Sequence, residues 1–378
     1  LKEAGYRVTG SDTAIFPPMS HLLERLGIVC QNGFHPEHIS PSTDCVIIGN
    51  AVSRDNPEVA ETIARGIPYY SLPQALSHFF LEGRRSLVVT GTHGKTTTTA
   101  LLSFLMTAAH ADPSVMVGGI MKNWGANYRL GKGNYFVIEG DEYNSSFFDK
   151  EAKFRHYRPY SAILTSIEKD HVDLYPDLAA IQSAFRKFVR LIPREGVLVA
   201  SHDPEVMEVA KEAACEVVTY GLDSMSDWYA TNIQFEERTT RFDLMLWGEK
   251  VDSVASPLVG RHNIKNLLAV IALTNHLGLT SKFDILNQIH EFEGVARRQE
   301  VVGSVRDILI IDDFAHHPTA IGETLFALRA RYPTRRLWAV FEPTSASSRR
   351  NVFQQEFVTA FEQADITLLA NLLSPDKV

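Results

Sequence analysis

The chain has 378 residues, more than one hydrophobic core usually serves and enough for about two or three domains. Hydrophobic residues at 45% and charged residues at 22% exclude a disordered or fibrous chain, and a formal net charge of −8 excludes a general nucleic-acid binder, whose phosphate contacts need a Lys/Arg surplus. Apolar runs such as 267–273 fall short of the roughly 18–20 residues of a membrane span, no signal segment opens the chain, and Cys30, Cys45 and Cys215 are too scattered for a disulfide framework or zinc knuckle. A cytoplasmic protein without nucleic-acid or membrane partners is expected. Leu1 inside an expected helix (LKEAG), and an end soon after the strand-like DITLLA, read as the ends of a fragment.

Short β-branched or apolar runs alternate with amphipathic stretches, which predicts βαβ units, parallel sheets and an α/β fold. Strands are expected at 6–9, 45–48 and 68–70, each followed by a helix, at 19–26, 57–65 and 73–80. The charged break at 82–85 closes a first domain, 1–82. A second, 83–296, opens with a strand at 86–90 and continues with strands at 135–139, 162–165, 197–200 and 216–220, a hairpin within 229–247 and a helix at 261–277. The polar joint at 294–300 leads into a third, 297–378, with strands at 308–311 and 337–341 around a helix after Pro318.

The strongest local signal is SLVVTGTHGKTTTT at 86–99, a buried strand, a glycine-bounded turn and Lys-Thr at a helix start. Gly91 and Gly94 can turn backbone N–H groups inward, the helix N-terminus adds its dipole, Lys95 is a point charge, and Thr96 or Thr97 offers a hydroxyl to Mg²⁺. Two residues separate the glycines, not the four of the common phosphate-loop spacing. A bare structural turn would not need Lys and a threonine run there, so ATP binding is expected.

Next come two strand ends that carry acids. EGDEYNSSFFDK brings Glu139, Asp141, Glu142 and Asp149, and TSIEKDHVD brings His171 and Asp173. Carboxyl ends of parallel strands face the ligand crevice, so Glu139 or Glu142 would reach a phosphate-bound Mg²⁺ and His171 a second ion. A solvated acidic loop is the plainer alternative, against which the two phenylalanines speak. In GRHNIKN, Asn263 reads on pattern alone as a helix cap and, with Asn266, alternatively as a purine contact. Arg297 and Arg298 would clamp phosphates at a hinge or form an exposed basic linker. In DDFAHHPT, Asp312 or Asp313 suits a ribose hydroxyl, while the adjacent His316 and His317 are not expected to chelate one ion together.

In the order and approximate spacing of GTHGKTTTT, EGDEYNSSFFDK, TSIEKDHVD, GRHNIKN, VARRQE and DDFAHHPT, the chain resembles the Mur ligase family along its whole length. The resemblance implies a UDP-sugar-binding Rossmann-like domain, a central P-loop ATP-binding α/β domain and a Rossmann-like C-terminal domain, with both outer domains truncated. It also implies ATP- and Mg²⁺-dependent peptide ligation, in which a carboxylate becomes an acyl phosphate and an amine attacks it through a tetrahedral intermediate. The segments VTGSDTAIFPPMS, FFDKEAKFRHYRP and FEPTSASSRRNVFQ resemble one branch of the family. That branch joins UDP-N-acetylmuramate to the murein tripeptide L-alanyl-γ-D-glutamyl-meso-diaminopimelate in peptidoglycan recycling. Alternatives are the branch that adds L-alanine in de novo synthesis, a folylpolyglutamate or cyanophycin type ligase, and a binding module that ATP closes without ligation.

Position by position, the resemblance implies that Gly91, Thr92, His93, Gly94, Lys95, Thr96 and Thr97 cradle ATP. Thr96 with Glu142, or with Glu139 in its place, would hold the first Mg²⁺, and His171 the second. Asn263 and Asn266 would face adenine, Arg298 the nucleotide and Asp313 the ribose. His316 and Arg349 or Arg350 would lie near the incoming peptide. Lys95, His171, Arg298 and His316 form the expected catalytic set, in a monomer or weak dimer. Departures from the family pattern are Thr344 in place of an arginine and Lys187 two residues beyond a carbamylated lysine, expected on a helix surface. The glycine-rich turn that meets the UDP diphosphate would precede Leu1.

Overall fold

Residues 1–237, 239–279, 285–345 and 347–371 are described by the structure, a computed structural model, and fall into two units. The first is Leu1–Arg84 with Glu142–Tyr157, the second Arg85–Asp141 with Arg158–Val378. In the first unit, Thr9–Asp12 pairs in parallel with Val29–Asn32, and Val46–Ile48 with Tyr69–Ser71. The strand expected at 6–9 is therefore displaced, because its hydrogen-bonded register begins at Thr9 against Val29. The partner Val29–Asn32 carries little apolar pattern in VCQN to announce a strand. Helix starts follow local chemistry: Asn56 Oδ1 accepts from the Glu58 and Val59 N–H groups, and Ser71 with Gln74 forms a capping box. The segment Glu142–Tyr157 is tied into this unit by Asp149, which accepts from Ser71 Oγ at 3.4 Å and lies 2.7 Å from His156 Nε2.

The second unit is built on a sheet with ten strands among the described residues. Their order is Glu249–Ser256, Thr240–Leu246, Trp228–Phe235, Glu216–Gly221, Val197–Ser201, Pro159–Leu164, Arg85–Thr90, Tyr135–Gly140, Ser114–Met121 and Ala126–Arg129. Seven strands, from Trp228–Phe235 through Ser114–Met121, run parallel, as the βαβ pattern predicts, and the near-continuous apolar runs of the inner ones let helices cover both faces. Leu87, Val89, Val137 and Ile163 pack with the helices Lys95–Ala108 and Arg261–His276 in one core. The helix Leu178–Val189 buries Ile181, Phe185, Phe188 and Val189, one stripe at helical spacing, and leaves Lys187 exposed. Each such side chain contributes about 1.5–3 kcal/mol on leaving water. The expected hairpin gains a third antiparallel strand, Glu249–Ser256, and the strands Ser114–Met121 and Ala126–Arg129 had no forecast.

After residue 297 come an antiparallel pair, Glu300–Val305 with Ile308–Asp312, the helix Pro318–Arg331, and a parallel pair, Trp338–Phe341 with Ile366–Leu369. The polar joint thus ends in a strand, since Glu300 pairs with Asp312. A small core of Ile321, Leu325, Ala339 and Ala360 holds the helix to the parallel pair. The fold is mixed α/β, and among the described residues no helix is long and apolar enough to cross a membrane.

Candidate active site

Three adjacent parallel strands end together: Arg85–Thr90 lies between Tyr135–Gly140 and Pro159–Leu164. The middle strand delivers the loop 91–94, one neighbour Glu139, and the other the loop 165–171. Gly91 (φ 131°) and Gly94 (φ 80°) occupy backbone conformations that L side chains rarely adopt. Thr92 N–H donates to the Ser166 carbonyl (2.8 Å), His93 N–H to Ser166 Oγ (2.9 Å), and Thr165 Oγ1 to the His93 carbonyl (2.5 Å). The turn is therefore held rigidly before any ligand arrives. Gly94 offers no side-chain cap to the helix Lys95–Ala108, so the first-turn N–H groups, including those of Thr96 and Thr97, and the positive dipole end form a helix start of the kind that suits an anion. Lys95 Nζ donates to the carbonyls of Gly91 (2.5 Å) and Thr92 (3.1 Å), which places an ammonium on the loop.

Arg298 Nη2 donates to Thr96 Oγ1 (3.1 Å), which donates to Glu139 Oε1 (3.0 Å), while Gly118 N–H donates to Glu139 Oε2 (2.6 Å). Burial pushes the Glu139 carboxyl above its ordinary pKa despite the Gly118 N–H and the nearby Lys95 and Arg298 charges. Burial likewise lowers Arg298, whose guanidinium lies 5.1 Å from the Phe314 ring centroid. The exposed-linker alternative for Arg298 is thereby corrected: Arg297 is exposed, but Arg298 turns in to meet Thr96. Asp313 Oδ2 accepts from Gln299 N–H and Oδ1 from Ala315 N–H, both at 2.8 Å, so Asp313 braces the turn that aims Arg298.

The structure does not make Asn263 a helix cap. Gly260 occupies that place, and Asn263, inside the first turn, donates through Nδ2 to the Val259 carbonyl (2.8 Å). Asn266 donates to Asn263 Oδ1 (3.2 Å), and both are buried beside Gly94, whose added Cβ would lie 2.5 Å from Asn266 Oδ1. His171 adopts φ 51° and donates its N–H to Asp170 Oδ1 (2.7 Å), which also accepts from Ser347 Oγ (2.7 Å). His316 Nδ1 donates to the Phe314 carbonyl (3.0 Å), Arg349 Nε donates to the Pro343 carbonyl (3.3 Å), and Arg350 and Thr344 are exposed. Lys95, Thr96, Glu139 and Arg298 are thus brought together within the second unit. Glu142 belongs to the first unit and is fully buried.

Sequence reading missed Gly118, Glu168 and Ser347. The Gly-Gly pair at 118–119 inside an apolar run was a usable sign of close backbone approach. Glu168 has no comparable sign, because its partners come from elsewhere in the chain. Its Oε2 accepts from Thr319 Oγ1 (2.7 Å) and lies 3.4 Å from His93 Nε2 and 3.9 Å from His317 Nδ1. Burial alone would raise this carboxyl; the His93 contact, the Thr319 hydroxyl and, last among them, the His317 charge outweigh it and hold the pKa at about 2. A depressed carboxylate stabilises the fold fully above its unfolded value near 4.5 and loses that contribution as pH falls toward about 2. Its side chain is 37% exposed, so solvent trims the effect. Glu168→Gln should therefore flatten the acid limb of the stability curve between those two pH values, as urea melts at each pH would show; an unchanged slope would assign the acid limb to other groups.

Residues 1–84 match the Mur ligase family catalytic domain, 89–274 the Mur ligase middle domain, and 297–377 the Mur ligase glutamate ligase domain. The UDP-N-acetylmuramate–L-alanyl-γ-D-glutamyl-meso-2,6-diaminoheptandioate ligase of Escherichia coli is 37% identical over 97% of this chain and 80% of its own length. The UDP-N-acetylmuramate–L-alanine ligase of Alkaliphilus metalliredigens is 35% identical over 98% of this chain and 79% of its own. The crystal structure of a murein peptide ligase from Psychrobacter arcticus superposes with a TM-score of 0.78, at 35% identity, over 97% of this chain and 80% of that one. Identity above one third across nearly the whole chain, with the family's three domains in order, makes this protein a member of the Mur ligase family.

Proposed function

We propose that this protein is an ATP-dependent ligase that joins UDP-N-acetylmuramate to L-alanyl-γ-D-glutamyl-meso-diaminopimelate in the cytoplasm, through an acyl phosphate. The observation that carries the reading is the run Arg298–Thr96–Glu139 beside Lys95, two cations and a hydroxyl-carboxylate pair at an uncapped helix start. Two oxygens of an octahedral Mg²⁺ site, at about 2.0–2.1 Å from the ion, stand roughly 2.9 Å apart; Thr96 Oγ1 and Glu139 Oε1 are 3.0 Å apart. These residues fit the ion, and Glu139 takes the place first expected for Glu142. Mg²⁺ held there would offset the charge of the β- and γ-phosphates.

The chain's own residues do the rest. The loop 91–97 orients the phosphates, Lys95 and Arg298 stabilise charge as the phosphoryl group moves, and Asn266, beside Gly94, and its partner Asn263 are assigned to adenine. Asp313 is assigned to the ribose, His171 to a second ion, and His316 to the peptide amine. The domain division is proposed at 1–82 for the UDP-sugar, 83–296 for ATP and 297–378 for the peptide. The choice of branch rests on the segments at 8–28, 147–159 and 341–354, and on the name of the Escherichia coli relative. The test is ADP release and mass detection of UDP-N-acetylmuramyl tripeptide. Turnover should require ATP, Mg²⁺, UDP-N-acetylmuramate and tripeptide together. Turnover with L-alanine and none with tripeptide would overturn the reading in favour of the activity named for the Alkaliphilus relative.

A further inference from the structure

Beside the phosphate loop, His93, Glu168 and His317 converge from three separate elements: the loop itself, the loop after Pro159–Leu164, and the N-cap of the helix Pro318–Arg331. Their ligand atoms lie within 4.8 Å of one another. Imidazole and carboxylate atoms at about 2.0–2.2 Å from a tetrahedral zinc ion stand roughly 3.3–3.6 Å apart. The His93–Glu168 edge, at 3.4 Å, already has that length, and the Glu168–His317 edge, at 3.9 Å, needs only a small contraction.

The tautomer is also prepared. His317 Nε2 donates to the Lys169 carbonyl (3.2 Å), so Nδ1 is the unprotonated nitrogen; it accepts a long 3.3 Å bond from Thr319 N–H as the helix cap and lies 3.9 Å from Glu168 Oε2, so an ion bound there takes over that cap. A backbone carbonyl on the far ring nitrogen is the support metal-bound histidines use. His93 Nε2 is a buried atom without a hydrogen-bond partner, facing Glu168. Access comes from a cleft of about 360 Å³ whose lining includes Glu168, Glu205 and Glu356 against one ammonium, Lys169, a balance that favours cation entry. His316 takes no part, since its Nδ1 is committed to the Phe314 carbonyl.

We propose that His93, Glu168 and His317 bind a divalent transition ion of the zinc class, distinct from the Mg²⁺ held at Thr96 and Glu139, with the fourth position open to the cleft. Imidazole nitrogens select such an ion over Mg²⁺. Bound there, it ties the helix Pro318–Arg331 to the phosphate loop.

The test needs no substrate, so its outcome is independent of the ligation reading. Zn²⁺ alone is titrated into the full chain against a chromophoric chelator, with Mg²⁺ saturating. One Zn²⁺ per chain should resist Mg²⁺, and Co²⁺ in its place should give the intense visible absorption of a four-coordinate site. His317→Asn, which retains a capping side chain, and Glu168→Gln should each weaken Zn²⁺ at least tenfold, while His290→Asn at an exposed histidine should not. No Zn²⁺ competing with the chelator, a weak octahedral Co²⁺ spectrum, or full affinity in both H317N and E168Q would each overturn the proposal. If either variant fails to fold, the other and the wild-type Co²⁺ spectrum decide.

Discussion

Lys95→Ala is expected to lower the rate of ADP release by roughly 100- to 1,000-fold, the size of effect that follows removal of one preorganised charge from a transition state. The ammonium sits on the carbonyls of Gly91 and Thr92 at the start of the helix Lys95–Ala108, where the transferring phosphoryl group is proposed to meet the dipole end. Stability should fall little, because two hydrogen bonds to backbone oxygens contribute about 1 kcal/mol each and water can replace the donor at a half-buried position. Lys95→Arg should rescue poorly, since a planar fork does not reproduce a point charge between two carbonyls. Single-turnover kinetics with both substrates, alongside a thermal melt, separates these effects. Near-normal turnover in K95A would remove the loop from the chemistry, and a collapse in melting temperature would make Lys95 structural.

Gly91→Ala should damage the fold severely. Its φ of 131° strains any side chain, and the new Cβ would lie 2.2 Å from Thr165 Oγ1 and 2.8 Å from both the N and O of Ser166. Those atoms cannot step aside cheaply. Thr165 N–H donates to the Thr90 carbonyl (2.9 Å), and the Ser166 carbonyl accepts Thr92 N–H (2.8 Å), so moving them breaks the pinning of the loop. Strain together with these lost bonds costs on the order of 4 kcal/mol or more. Gly83→Ala is the matched comparison: φ is 75°, with nothing within 4 Å of the added Cβ, so only a left-handed strain of about 1–2 kcal/mol applies. Urea denaturation of both should show G91A unfolding far earlier. Equal midpoints would mean that the loop gives way easily and that its glycines do not enforce the turn.

What the sequence determined by itself was local. The strand, the two glycines and Lys-Thr at a helix start lie within one short stretch, and hydrogen bonding along a strand or a first helical turn involves near neighbours. Alternating apolar runs likewise announced parallel strands, since strands covered on both faces must be apolar throughout. Tertiary structure alone set an acid against Thr96 of the loop. Glu139 and Glu142 are close in the chain, but the register that sets Val89 against Glu139 brings that side chain to Thr96 and to the Gly118 N–H of a third strand. Asn263 could equally have capped its helix until Gly260 was seen to hold that position. The meeting of His93, Glu168 and His317, and the bond from Ser347 to Asp170, join residues far apart in the chain. Such pairings depend on sheet register and on how the C-terminal segment seats against the sheet, and no local pattern encodes either.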